Sequence, residues 1–126
     1  MKKILIVDDE PEVIELVSTR LKEHDFDVIS AGSARQGITK AEVETPDLIL
    51  MDIMMPHIPG GDAVRELRAN QKTCDIPVVF LTAVANSEDY ARKGTERINV
   101  GGVAYDAIGK PFRPETLLKM VRKYLS

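Results

Sequence analysis

Apolar residues along this chain follow two rhythms. The unbroken runs Ile4-Leu5-Ile6-Val7, Leu48-Ile49-Leu50-Met51 and Val78-Val79-Phe80-Leu81 are too short for helices. They suit strands buried on both faces of a parallel sheet. Phe26 to Ala31 reads as a further short strand, and Val103 to Ile108 as a weaker one. Between them the spacing changes to three and four. Val13, Ile14, Val17 and Leu21, interleaved with Glu12, Glu15, Arg20 and Lys22, predict an amphipathic helix from Pro11 to about residue 24. Ser33 is a suitable N-cap for a helix over 34–44, although Gly37 and a thin apolar side predict a weakly packed edge helix. Asp62 to Asn70 predicts a third helix, and Ser87 can cap a fourth over about 88–97. Pro114 opens the last, whose stripe is Leu117, Leu118, Val121 and Leu125.

Strand and helix thus alternate five times. That alternation predicts an α/β domain over 1–126: a doubly wound (βα)5, flavodoxin-like three-layer sandwich with helices on both faces of a parallel sheet. Periodicity does not give the strand order; 2-1-3-4-5 is the commoner solution at this size.

Composition narrows the class. A chain of 126 residues with 44% hydrophobic and 29% charged residues can bury its own core. A net charge of −3 without runs of like charge argues against a nucleic-acid surface. The single cysteine, Cys74, excludes an internal disulfide and a cysteine-rich zinc site. No apolar stretch approaches a membrane span, and the N-terminus lacks a cleavage-site pattern, so the expected location is the cytoplasm.

The candidate chemistry lies just past the strand ends. Asp8 and Asp9 follow the first strand, Asp52 ends the third, Thr82 the fourth, and Lys110 follows the fifth. Taken singly, each has a plain explanation: an aspartate there is commonly a turn former or cap, and a lysine a solvated charge. Together they converge on one edge of a parallel sheet, where ligands bind. Three carboxylates there repel by about 4 kcal/mol per pair at 4 Å and an effective dielectric of 20. Lys110 supplies one counter-charge, and an all-oxygen set suits Mg²⁺, or Mn²⁺, as a second. A carboxylate, a cation, a hydroxyl and an ammonium are what phosphoryl transfer requires. Asp52 is then the nucleophile that takes the phosphoryl group as an acyl phosphate, bridged to it by the metal. Lys110 and Thr82 hold its oxygens.

These motifs, Asp8-Asp9-Glu10-Pro11, Asp52-Ile53-Met54-Met55-Pro56 with Gly60, Phe80-Leu81-Thr82-Ala83 and Lys110-Pro111-Phe112, resemble the receiver domain of response regulators in two-component signalling. The form resembled is the single-domain, chemotaxis-regulator-like one. The resemblance implies a phosphohistidine on a sensor histidine kinase or phosphotransfer protein as donor to Asp52. It implies Mg²⁺ held directly by Asp9 and Asp52, through water by Asp8, and by the backbone carbonyl of Met54. It further implies a cis bond before Pro111 and a signalling rather than an enzymatic role.

Phosphorylation would then move Thr82 and shift the face made by helix 88–97, strand 103–108 and the last helix toward an output partner, with homodimerisation one outcome open to it. With nothing following residue 126, output by binding is expected. The segment between Thr82 and Lys110 is longer than usual, with the excess around Thr95 to Gly102. It lies on that face and leaves the usual output surface in question. The aromatic that commonly stands three residues before the lysine is Ala107 here, so either Tyr105 substitutes as the switch or the aromatic switch is absent. The resemblance implies that Met54 and Val84, two residues after Asp52 and Thr82, flank the phosphoryl group; neither side chain can orient a water, which predicts slow self-dephosphorylation.

Three rivals stand beside this reading. An aspartyl-nucleophile, Mg²⁺-dependent phosphatase wants Asp-x-Asp after its first strand, where this chain has Asp8-Asp9-Glu10. A flavin or nucleotide binder lacks its Gly-x-Gly-x-x-Gly or P-loop here. A receiver-like module that is never phosphorylated has no need of the complete residue set.

Overall fold

The structure, a computed structural model, describes residues 1–55, 59–83 and 95–125. In chain order the elements are β1 (Lys3–Val7), α1 (Pro11–Lys22), β2 (Asp27–Ala31), α2 (Ala34–Glu44), β3 (Leu48–Asp52), α3 (Gly60–Arg68), β4 (Val78–Thr82), β5 (Thr95–Val100), β6 (Val103–Gly109) and α4 (Pro114–Leu125). Among the described residues the sheet has six strands in the order β2-β1-β3-β4-β6-β5. The first five in that order run parallel, which is the doubly wound arrangement expected, with β6 in the place of the predicted fifth strand.

The period of two in each strand divides the core. Leu5, Val7, Ile49, Met51, Val78, Phe80, Tyr105 and Ala107 face α2 and α3, where Ala34, Ile38, Ala63, Val64 and Leu67 meet them. Ile4, Ile6, Leu48, Leu50, Val79, Leu81 and Ile108 face α1 and α4 and pack on Val17, Leu21, Leu117 and Val121. Because β1, β3 and β4 are buried on both faces, their polar residues can occur only at the ends. That is why the carboxylates sit at one rim.

Two expectations are corrected. The predicted helix 88–97 does not extend over 95–97, which belong to β5; its other residues lie outside those described. β5 pairs antiparallel with β6, Ile98 opposite Tyr105 and Val100 opposite Val103. The turn between them is Gly101-Gly102, with φ +60° and +86°. Both residues of a two-residue hairpin turn of this hand need positive φ, which glycine adopts without a Cβ clash. The second correction is α2. Ser33 caps it as expected, accepting from the Gln36 N–H. Yet the helix is not loosely held: a Cβ on Gly37 would stand 2.7 Å from a Val7 methyl. The missing side chain lets α2 lie directly on β1.

The hairpin is fastened to α4 by one acid. Asp106, buried on β6, accepts from Lys123 Nζ at 2.7 Å, the Tyr124 hydroxyl at 2.6 Å and Arg97 Nη1 at 3.0 Å. Burial opposes its charge, but the Lys123 and Tyr124 hydrogen bonds outweigh it and hold the carboxyl below its ordinary range. Its stabilising share is present above the ordinary aspartate pKa and is lost as pH falls through the depressed value. Tyr124, through burial and the Asp106 hydrogen bond, is pushed up to about 12 from 10.0. Its share is complete below pH 10 and is lost as pH rises toward 12. In alkaline spectrophotometric titration one of the chain's three tyrosines is expected to ionise near 12. Tyr124→Phe should abolish that late step and cost about 1 kcal/mol. A late step that survives the substitution belongs to another residue.

Candidate active site

The pocket is built from four strand ends. Register sets Val7 beside Met51, Asp52 beside Leu81 and Thr82 beside Gly109, so the residues after β1 and β6 flank those closing β3 and β4. The Lys110 N–H donates to the Thr82 carbonyl at 2.7 Å, which ties the two rims together. The Lys110–Pro111 peptide is cis, as the resemblance implies.

Lys110 Nζ lies at the centre. It donates to Asp8 Oδ2 at 2.7 Å, to Asp52 Oδ2 at 3.3 Å and to Glu10 Oε1 at 3.4 Å. Asp8 is fully buried, and its Oδ1 accepts the Glu10 backbone N–H at 2.9 Å. Asp52 is 5% exposed and its Oδ1 accepts the Met54 N–H at 3.0 Å. Burial is the main force on Asp52 and raises its pKa. The Met54 hydrogen bond opposes this, the charge of Asp8 adds to it, and Lys110 offsets part. For Lys110, burial works against the charge, but the hydrogen bond and charge of Asp8, then those of Asp52, outweigh it and raise the ammonium pKa.

Carboxylate oxygens of Asp8, Asp9, Glu10 and Asp52 lie within 4.8 Å of one another, the group among the described residues able to hold a metal ion. Their all-oxygen chemistry, with Asp9 and Glu10 open to solvent, fits a hard divalent cation that keeps some water.

The expected residues Asp8, Asp9, Asp52 and Lys110 are therefore brought together, with Thr82 buried on the adjoining strand end. Met54 stands beside them and is 69% exposed; Val84 lies outside the described residues. Tyr105 is placed differently. Its hydroxyl accepts from Arg68 Nε at 3.3 Å, and its ring meets Phe80 edge-on at 5.6 Å. Along β6 it precedes Gly109, the partner of Thr82, by four residues, roughly 13 Å of strand. The Lys110 contact of Glu10 was not anticipated, though a third acid after Asp8-Asp9 was the signal for it.

The sequence matches the response regulator receiver domain family over residues 4–122. The chain belongs to that family. This receiver is 35% identical over 129 residues to Protein PilH of Pseudomonas aeruginosa, covering 100% of this chain and 99% of that protein. It is 36% identical over 125 residues to the DNA-binding dual master transcriptional regulator RpaA of Synechocystis sp., covering 99% of this chain and 49% of RpaA. The receiver spans about half the length of several curated relatives it matches. Its fold matches the Vibrio cholerae chemotaxis protein CheY4 with TM-score 0.82 and 30% identity, covering 98% of each chain. It also matches the receiver domain of a Pseudomonas aeruginosa sensor histidine kinase with TM-score 0.82 and 27% identity, covering 98% of this chain and 97% of that one. That structure holds a magnesium ion in its active-site cleft. Phosphorylation-based signalling is the function of this receiver family. No helix among the described residues is long and apolar enough to cross a membrane.

Proposed function

We propose that residues 1–126 act as one receiver unit in which Asp52 accepts a phosphoryl group from a phosphohistidine on a sensor kinase or phosphotransfer protein. The P–N bond breaks, and its electron pair returns to the imidazole, which takes up a proton. A P–O bond forms to the Asp52 carboxylate, giving an acyl phosphate. Asp9 and Asp52, with Asp8 through water and the Met54 carbonyl, would hold Mg²⁺, and Mn²⁺ suits the same oxygens. When bound, the metal supplies neutralisation of charge on the transferred oxygens. Lys110 pairs with one of those oxygens and Thr82 donates to another.

The observation that carries this reading is Lys110 Nζ between Asp8 and Asp52, at 2.7 and 3.3 Å, with Asp52 on the end of a strand buried throughout. The phosphatase alternative needs a nucleophile after β1. There Asp8 is fully buried and held by Lys110 at 2.7 Å, more tightly than Asp52 at 3.3 Å. Exposed, apolar Met54 supports a long-lived acyl phosphate. Tyr105, anchored by Arg68 and Phe80, supports signalling without an aromatic switch. The output surface would be the face of the β5–β6 hairpin and α4, which meet at Asp106.

Acetyl phosphate with Mg²⁺ should label the wild type with a single phosphoryl group, read by intact mass, and leave Asp52→Asn unlabelled. Equal labelling of the variant would reject Asp52 as the acceptor. Sustained turnover of a small phosphate ester would favour the phosphatase.

A further inference from the structure

The ammonium of Lys110 has three protons to give and, among the described residues, three carboxylates around it. A phosphoryl oxygen reaching the site must therefore take a donor already in use. Asp8 is held too firmly to yield: it is fully buried, has the shortest contact, and is fixed on its other oxygen. Asp52 is the acceptor itself. Glu10 has the longest contact, at 3.4 Å, and a side chain 57% exposed at the mouth, where water can replace what it loses. It occupies the N-cap position of α1, yet its side chain makes no capping hydrogen bond, so its own helix does not hold it.

Resting on Asp52 as acceptor, we propose that Glu10 is a placeholder for the phosphoryl oxygen on Lys110, displaced on phosphorylation, and that its charge at the mouth slows small anionic donors. The electrostatics agree. Asp8, Asp9 and Asp52 are balanced by Lys110 and a bound divalent cation, so Glu10 leaves the site with one net negative charge, and a doubly charged donor approaches past it. Glu10 is thus a positioning residue that acts through Lys110. The carboxylate cluster raises a different role for it, that of metal ligand, and the two roles predict opposite results.

The test compares wild type, Glu10→Gln and Glu10→Asp at saturating Mg²⁺. It measures the rate of labelling by acetyl phosphate and the affinity for beryllofluoride, each at low and high ionic strength, and Mg²⁺ affinity separately. Glu10→Gln is expected to label about two- to fivefold faster and to bind beryllofluoride tighter by a similar factor at low salt. The gain should fade near 1 M salt, where the screening length is about 3 Å. Glu10→Asp, which keeps the charge, should stay with the wild type, and Mg²⁺ affinity should change by less than about twofold. Equal or slower labelling by Glu10→Gln overturns the proposal, as does a salt-independent gain, or Glu10→Asp behaving like Glu10→Gln. A roughly tenfold loss of Mg²⁺ affinity makes Glu10 a ligand and overturns it too. A wild type that takes neither acetyl phosphate nor beryllofluoride removes Asp52 as acceptor and the inference with it. A labelled wild type with an unchanged Glu10→Gln removes the inference alone.

Discussion

Lys110→Met is expected to cost about 3 kcal/mol of stability at neutral pH, a large part of a typical 5–15. Methionine keeps most of the stem but removes the charge that faces fully buried Asp8 and nearly buried Asp52. The loss should depend on pH in a defined direction. Lys110, with its pKa raised, stays charged throughout the acid and neutral range, and its share is lost only as pH rises through that raised value. Asp52 is the group that moves. Its folded pKa already lies above the ordinary value, chiefly through burial, and removing Lys110 raises it further. A carboxyl with a raised folded pKa removes stability as pH climbs from its unfolded value to its folded one. The deficit of the variant should therefore be small near pH 4, full at neutrality, and reduced by Mg²⁺, which restores a counter-charge. Urea unfolding of both proteins across that range, with and without Mg²⁺, decides it. A deficit below about 1 kcal/mol, or one that ignores pH, would show that Lys110 is not the counter-charge of the cluster.

Much of this site is legible in the sequence for a simple reason. A strand buried on both faces has no room for a carboxylate except at its end, so Ile4 to Val7 and Leu48 to Met51 announce where Asp8 and Asp52 must stand. The β5–β6 hairpin is less legible. Thr95, Arg97 and Asn99 alternate with Ile98 and Val100, but an edge strand that is half exposed has little apolar contrast, and Ser87 offered a competing helix start. Gly101-Gly102 between Val100 and Val103 was the overlooked signal. Gly37 misled in another way. Helix propensity charges it as a defect, whereas its role is a close approach to Val7 that only packing reveals. Arg68 is similar. Its guanidinium reaches the carbonyls of Thr73, Cys74 and Ile76 as well as the Tyr105 hydroxyl. These are contacts between α3, the following loop and β6 that no local pattern encodes. They decide where the Tyr105 hydroxyl points.

Asp52→Asn, which removes a charge of the opposite sign from the same cluster, should move stability the other way, raising that of the metal-free protein by about 1 kcal/mol at neutral pH. The ionised carboxylate of Asp52 is disfavoured first by burial and then by Asp8. Asparagine removes both penalties, and its carbonyl can still accept the Met54 N–H. The gain is held down because the amide nitrogen then faces Lys110 Nζ, donor against donor, where Oδ2 stood at 3.3 Å. Lys110 keeps Asp8 as partner, so no buried cation is orphaned. Since the folded pKa of Asp52 is raised, wild-type stability declines as pH rises between its unfolded and folded values, and the variant lacks that decline. The two proteins should converge at acid pH and separate toward neutrality. Mg²⁺ should reverse their order. At a hundred times its dissociation constant a ligand adds about 2.7 kcal/mol to the protein that binds it, and the variant, short of one carboxylate, binds it less. Thermal unfolding at neutral pH in chelator and in excess Mg²⁺ therefore tests whether acids crowd this rim for stability or for the cation. If Asp52→Asn is the less stable protein in chelator, the carboxylate is a structural group and does not crowd this rim for the sake of a cation.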